Sequence, residues 1–187
     1  TNAASNVDIA ITPKGFGSLT AQIADNTTTG GNKRGNQSVD WQMTRATASQ
    51  VASGSTSFIG GGSNNTASGT SATVVAGNTN NAGGSYSFIG GGNGNSTSGT
   101  NDVISGGSNN STNGSGINNV IGGGVSNSTT GSFTTIGGGG TNSTSGNYAT
   151  VGGGNTNVAS GNNSTVVGGA FNNANASYSA VLGGSNM

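Results

Sequence analysis

The chain has no cysteine, no histidine and no glutamate. Its acids are Asp8, Asp25, Asp40 and Asp102, and its bases are Lys14, Lys33, Arg34 and Arg45. Each absence excludes something. Without cysteine there is no disulfide framework and no thiolate metal site. With 4% charged residues there is no basic patch to neutralise phosphates, so a nucleic-acid partner is not expected. No run of 18 or more apolar residues occurs, so no membrane insertion is expected. The chain opens at Thr1 without a charged-then-apolar leader, and its last repeat, Leu182-Gly183-Gly184, stops at Met187. It therefore reads as a piece of a longer protein.

What is present is mainly Gly, 39 of 187 residues, with Asn, Ser, Thr and Ala. An aperiodic chain of this composition would stay disordered, because it buries too little apolar surface. This one is periodic. An aliphatic residue recurs at Ile59, Val75, Ile89, Ile104, Ile121, Ile136, Val151, Val167 and Leu182, with spacings of 16, 14, 15, 17, 15, 15, 16 and 15. A second signal, Asn-x-small-x-Gly, begins at Asn65, Asn80, Asn95, Asn110, Asn127, Asn142 and Asn157; a degenerate copy starts at Asn173 and an opening one at Gln50. The step from Asn to its closing Gly, including Gly114, is four residues. Length variation is thus expected after that Gly, at one corner of a repeating unit.

A unit of about 15 residues is too short for a helix pair, and this density of glycine defeats helices. It fits one coil of an all-β parallel β-solenoid, or β-roll, of about nine coils over residues 50–187. Each coil would have two short strands and two tight corners. Gly60–Gly62, Gly90–Gly92 and Gly122–Gly124 suit corners that need positive φ. Stacked coils would carry the aliphatic column inside and the asparagines in a ladder of amide hydrogen bonds.

Neighbouring strand residues face opposite ways. The residue before each aliphatic is again β-branched or apolar: Phe58, Val74, Phe88, Val103, Val120, Thr135, Thr150, Val166 and Val181. Tyr86, Phe133 and Tyr148 read as enriching the same outer phase. Two aliphatics per coil make a small core, and a covered outer column needs another chain. Self-association with further copies of this chain through Phe58, Phe88, Tyr86, Phe133 and Tyr148 is therefore expected.

Units such as Ser57-Phe58-Ile59-Gly60-Gly61-Gly62-Ser63-Asn64-Asn65-Thr66-Ala67-Ser68-Gly69 resemble the head repeats of YadA-type trimeric adhesins. More closely, they resemble the Gly-Gly-x-x-Asn-x-Ala-Ser-Gly arrays of phage and large-virus tail-fibre proteins. Asn6 to Gly15 and Gly35 to Gln42 look like the segment that precedes such arrays. The resemblance implies a trimeric left-handed parallel β-roll, often followed by an intramolecular chaperone of the endosialidase type. It implies a virion tail fibre that partners other tail or fibre proteins and a host-surface glycan or protein receptor. The alternative is a trimeric autotransporter-type adhesin on a bacterial cell surface.

Residues 1–49 read as a small capping or connector β-domain, because solenoids need atypical ends. Val7, Ile9 and Ile11, then Leu19, Ala21 and Ile23, then Val39, Trp41 and Met43 alternate with polar or small neighbours, and Pro13 to Gly17 reads as a hairpin turn. Asp25 to Asn36 reads as a polar loop.

Catalysis is not expected, and neither is a cofactor or a metal. A glycosidase needs a carboxylate pair, and the repeats contain only Asp102, which reads as a polar strand position exposed to water. Asp8, Asp25 and Asp40 read as turn and strand-edge residues. No Gly-Lys-Ser/Thr follows the glycine runs, the recurrent Asp of calcium-binding repeats is missing, and the residues after the repeat asparagines form no threonine array suited to ice.

Overall fold

The computed structural model of the protein describes residues 19–20, 22–113 and 116–187. The strand expected at Val7–Ile11, the turn at Pro13–Gly17, Asp8 and Gly114 lie outside the described residues. Within them the chain is an all-β parallel solenoid of about nine turns, with no helix. Its strands are two residues long and fall into two sheets. An 11-stranded long sheet runs from β1 (Leu19–Thr20) through β2 (Val39–Asp40) and β3 (Phe58–Ile59) to Ala180–Val181. An 8-stranded short sheet runs from β4 (Thr66–Ala67) to Asn173–Ala174. A third line of parallel bridges, Thr44↔Ser63 through Ala170↔Ser185, ties the corners between them.

The long sheet carries the aliphatic core. In sequence register Ile59, Val74, Ile89, Ile104, Ile121, Ile136, Val151 and Val166 face inward and are fully buried, and Val181 packs against them. Three expected core residues are displaced by one. Val75 is 41% exposed, Val167 52% and Leu182 82%, and the inward places belong to Val74, Val166 and Val181. In each case two aliphatics are adjacent, so composition does not choose between them. Pairing does, because a one-residue slip turns the side chain to the other face. With this register the steps between inward residues are all 15, except 17 between Ile104 and Ile121.

That longer coil also changes where its extra residues sit. A Cβ on Gly99 would fall 2.0 Å from the Gly116 carbonyl oxygen, and one on Gly116 would fall 2.1 Å from that of Gly131. Gly116, not Gly114, therefore stacks in the closing-glycine column. The step from closing glycine to inward aliphatic is constant, and the two added residues precede the glycine.

From Gly62 onward one glycine column has no exception, because two constraints coincide there. Gly107 has φ +89°, and a Cβ on it would lie 2.1 Å from the Gly124 carbonyl oxygen and 2.7 Å from Asn110 Nδ2. The left-handed backbone and the close stacking of coils both demand glycine.

The first coil is closed by polar residues. At and just after β2 the alternating apolar residues face out: Trp41 and Met43 are exposed, whereas Asp40 and Gln42 are buried. Ile23 is exposed too. Asp40 occupies the inward column beneath Ile59, and its Oδ2 accepts from Arg34 Nε at 2.9 Å, with Arg45 Nη2 at 3.8 Å. The Gln42 and Ala52 amides also donate to this carboxylate. Because β1 and β2 pair in parallel with β3 in one sheet, the described part of the leader continues the solenoid. Asp25 sits in a turn as expected. Bonds from the Thr27 amide, the Thr27 hydroxyl and the Gly30 amide hold its carboxyl below the usual range.

Candidate interaction face

Each coil places one residue of each short strand outward, and the two sheets differ in what they show. The outward column of the short sheet reads Thr66, Asn81, Ser96, Ser111, Ser128, Ser143, Val158 and Asn173. That of the long sheet reads Phe58, Thr73, Phe88, Val103, Val120, Thr135, Thr150, Thr165 and Ala180. Phe58 and Phe88 stand two coils apart with Thr73 between them in register, and they are 37% and 38% exposed. Trp41, Val75, Val167 and Leu182 lie two residues further along their coils and are also exposed. The sequence reading put Val75, Val167 and Leu182 in the core and Trp41 in a leader strand, and assigned none of the four to this outer face. The cue was available: each follows the outward residue by two, the period of a strand.

Tyr86, Phe133 and Tyr148 are exposed but do not share the Phe58 column. They occupy the corner before the strand, with φ of 58°, 58° and 60°, in line with Thr56, Asn101 and Asn163. The alternation of an extended strand fails at a left-handed residue, so counting back by two from Phe88 reaches a different column. A bulky residue in this conformation is costly. Backbone bonds to the preceding coil hold the corner, from the Tyr86 amide to the Thr70 carbonyl and from the Tyr148 amide to the Ser132 carbonyl. Phe133 and Tyr148 also stack on each other, with ring centroids 5.0 Å apart and planes 8° from parallel.

Inside, the asparagines form a continuous ladder. The side-chain oxygen of each of Asn65, Asn80, Asn95, Asn110, Asn127, Asn142 and Asn157 accepts from the backbone amide of the next rung, at 2.9–3.1 Å. Each Nδ2 donates to a carbonyl four residues back and to a glycine carbonyl of the following coil; for Asn110 these are Gly106 and Gly124. The eighth rung is Asn172, not Asn173. Asn172 is buried and donates to Gly168 and Gly184, while Asn173 faces out from its strand. The two asparagines are adjacent, and only the inward turn of the chain separates them. Gln42 closes the ladder's first end: its Oε1 accepts from the Asn65 amide at 2.8 Å and its Nε2 donates to the Asn65 carbonyl.

Asp102 is fully buried, contrary to the exposed strand position expected for it. Its Oδ2 accepts from the Gly99 amide at 3.0 Å and its Oδ1 from the Asn119 amide at 2.9 Å. It thereby makes a rung like those of the asparagines, with both oxygens turned from any surface a substrate could reach. Arg34, Asp40 and Arg45 are likewise enclosed. From residue 46 onward Asp102 is the only Asp, Glu, Lys or Arg, so the described outer surface of that part carries none of these charges.

Among the described residues no group of three acidic, histidine or cysteine side chains could hold a metal ion, and no helix is long and apolar enough to cross a membrane. No family model matches the chain, and a search of curated proteins returned no significant match.

Proposed function

We propose that this solenoid is a structural and adhesive segment of a trimeric viral tail fibre, assembled through the outer face of the long sheet and engaged in host attachment. The observation that carries the reading is the one-sidedness of the surface. The long sheet shows Phe58, Phe88, Val103 and Val120 in one column, while the short sheet shows almost only Ser, Thr and Asn. The apolar cluster of Phe58, Phe88, Val103 and Val120, interrupted by Thr73 and followed by threonines, is a surface for protein contact, and no charged side chain of the repeats opposes the approach of like copies. The polar short-sheet face would then remain outward, where hydroxyls and amides suit an uncharged host glycan. The buried ladders give the rod its stiffness, and the resemblance of the repeats to phage tail-fibre arrays supplies the biological setting.

Native mass spectrometry or sedimentation of the chain should report a trimer. Replacing Phe58 and Phe88 together by Ser should weaken it. Each ring is about a third exposed, so association can still bury roughly 1 kcal/mol per ring and chain, repeated by symmetry. The control Ser111→Ala/Ser143→Ala, on the short sheet, should assemble as wild type does. A folded monomer, or a double Phe variant as tight as wild type, would refute the interface.

A further inference from the structure

The core of the solenoid changes character along its length. Within a coil, the residue just before the long-sheet strand faces the inward residue of the short sheet, as the 2.9 Å bond from Thr97 Oγ1 to Ser87 Oγ shows. In sequence order these facing pairs are Ala72/Ala82, Ser87/Thr97, Asp102/Thr112, Asn119/Thr129, Thr134/Thr144 and Ala149/Ala159. Four successive polar pairs are thus bounded at both ends by alanine pairs. The eight polar side chains are buried, Ser87 at 1% and the other seven at 0% exposure.

This polar stretch is not self-sufficient. Among the described residues Thr112 Oγ1, Thr129 Oγ1, Thr144 Oγ1 and Asn119 Nδ2 have no hydrogen-bond partner. Thr112, Thr129 and Thr144 are consecutive in parallel register, so their hydroxyls repeat at the strand spacing of about 4.8 Å. Asn119 cannot be satisfied by turning its amide over, because its Oδ1 already accepts from the Thr134 amide and hydroxyl. Asp102, in the same stretch, has two amide donors and no ion-pair partner among the described residues.

We propose that these four coils enclose a short file of ordered water molecules, bound by Thr112, Thr129, Thr144 and Asn119, which also hydrates Asp102. The donor set selects the ligand. A bare cation would use the hydroxyl oxygens and the carboxylate but would leave the Asn119 Nδ2 donor facing positive charge. Water accepts from Asn119 and donates to Asp102, and it can do either with each threonine. Clustered polar atoms without protein partners are where interior water is retained, and a buried carboxylate without a counter-ion has most to gain from it.

The test is Thr129→Val, which keeps the shape and removes the hydroxyl, measured by denaturant unfolding of the full chain beside Thr129→Ser. If water is bound, valine strands the water and its other partners, and the unfolding constant should rise roughly fivefold to tenfold. Serine, which retains the hydroxyl, should be less harmful than valine. In a dry core the order reverses: valine removes an unpaired polar group and is neutral or stabilising, and serine is the worse variant. That result would overturn the proposal. Should either variant fail to fold, a high-resolution crystal structure of the wild type decides, with solvent density within hydrogen-bond reach of Thr129 Oγ1 expected and an empty contact overturning. Stability that saturates with added sodium or potassium but not with choline would also overturn it, in favour of a bound cation.

Discussion

Replacing Asn110 with alanine is expected to destabilise the middle of the solenoid by about 4 kcal/mol, an effect large for one uncharged side chain. Asn110 Nδ2 donates to the carbonyls of Gly106 and Gly124, and its Oδ1 accepts from the amide and side chain of Asn127. Alanine takes the side-chain partner from the Asn127 amide and the Gly106 carbonyl, while the Gly124 carbonyl keeps the Ser108 amide and Asn127 Nδ2 keeps the Gly123 and Gly139 carbonyls; each group left unpaired costs about 1–3 kcal/mol. The sum is held below simple addition because neighbouring rungs relax together. Hydrogen exchange should locate the damage, with the Asn127 amide losing protection first and amides in distant coils keeping theirs. Asn173→Ala, one residue from the true eighth rung, should cost little. If Asn110→Ala unfolds at the wild-type denaturant concentration, the ladder is ornament and the core alone holds the coils.

Asp40→Val should be nearly as damaging, although valine is what the same inward column holds at Val74 and Val151. The apolar side chain would suit Ile59 above it. It would leave Arg34 and Arg45 enclosed with no anion, and breaking a buried ion pair by removing one partner costs about 3–5 kcal/mol. Trypsin gives a clean reading. The chain has no Lys or Arg after Arg45, so cleavage after Lys33, Arg34 and Arg45 reports opening of the cap and nothing of the later coils. Cleavage of Asp40→Val should be faster than wild type by about a hundredfold or more, as 3 kcal/mol implies. Wild-type resistance in the variant would mean that Asp40 does not hold the cap.

Much of the fold was legible before any coordinates, and for a physical reason. A chain of fifteen-residue coils repeats every local constraint nine times or so, so period, strand number per coil and the need for glycine all surface as sequence columns. Seven of the eight asparagine rungs and six of the inward aliphatics could be named from spacing. Most of the places that misled have one of two causes. At Val74-Val75, Val166-Val167, Val181-Leu182 and Asn172-Asn173 two chemically equivalent residues are adjacent, and at Tyr86 a left-handed corner breaks the alternation on which counting relies.

The sequence by itself determined that this is a sparsely charged, glycine-cornered parallel β-solenoid with an asparagine column, because those features follow from repeated local chemistry. Tertiary structure alone decided three matters: which of two adjacent aliphatics points inward, that Asp40 and Gln42 rather than Val39, Trp41 and Met43 close the first coil, and that Asp102 is a rung of the interior. Each depends on what lies in the neighbouring coil. Ile59 sits over Asp40, Asn65 over Gln42 and Asn119 over Asp102, at separations of 17 to 23 residues. A strand two residues long has too little pattern of its own to fix its register, so the stacking of coils fixes it.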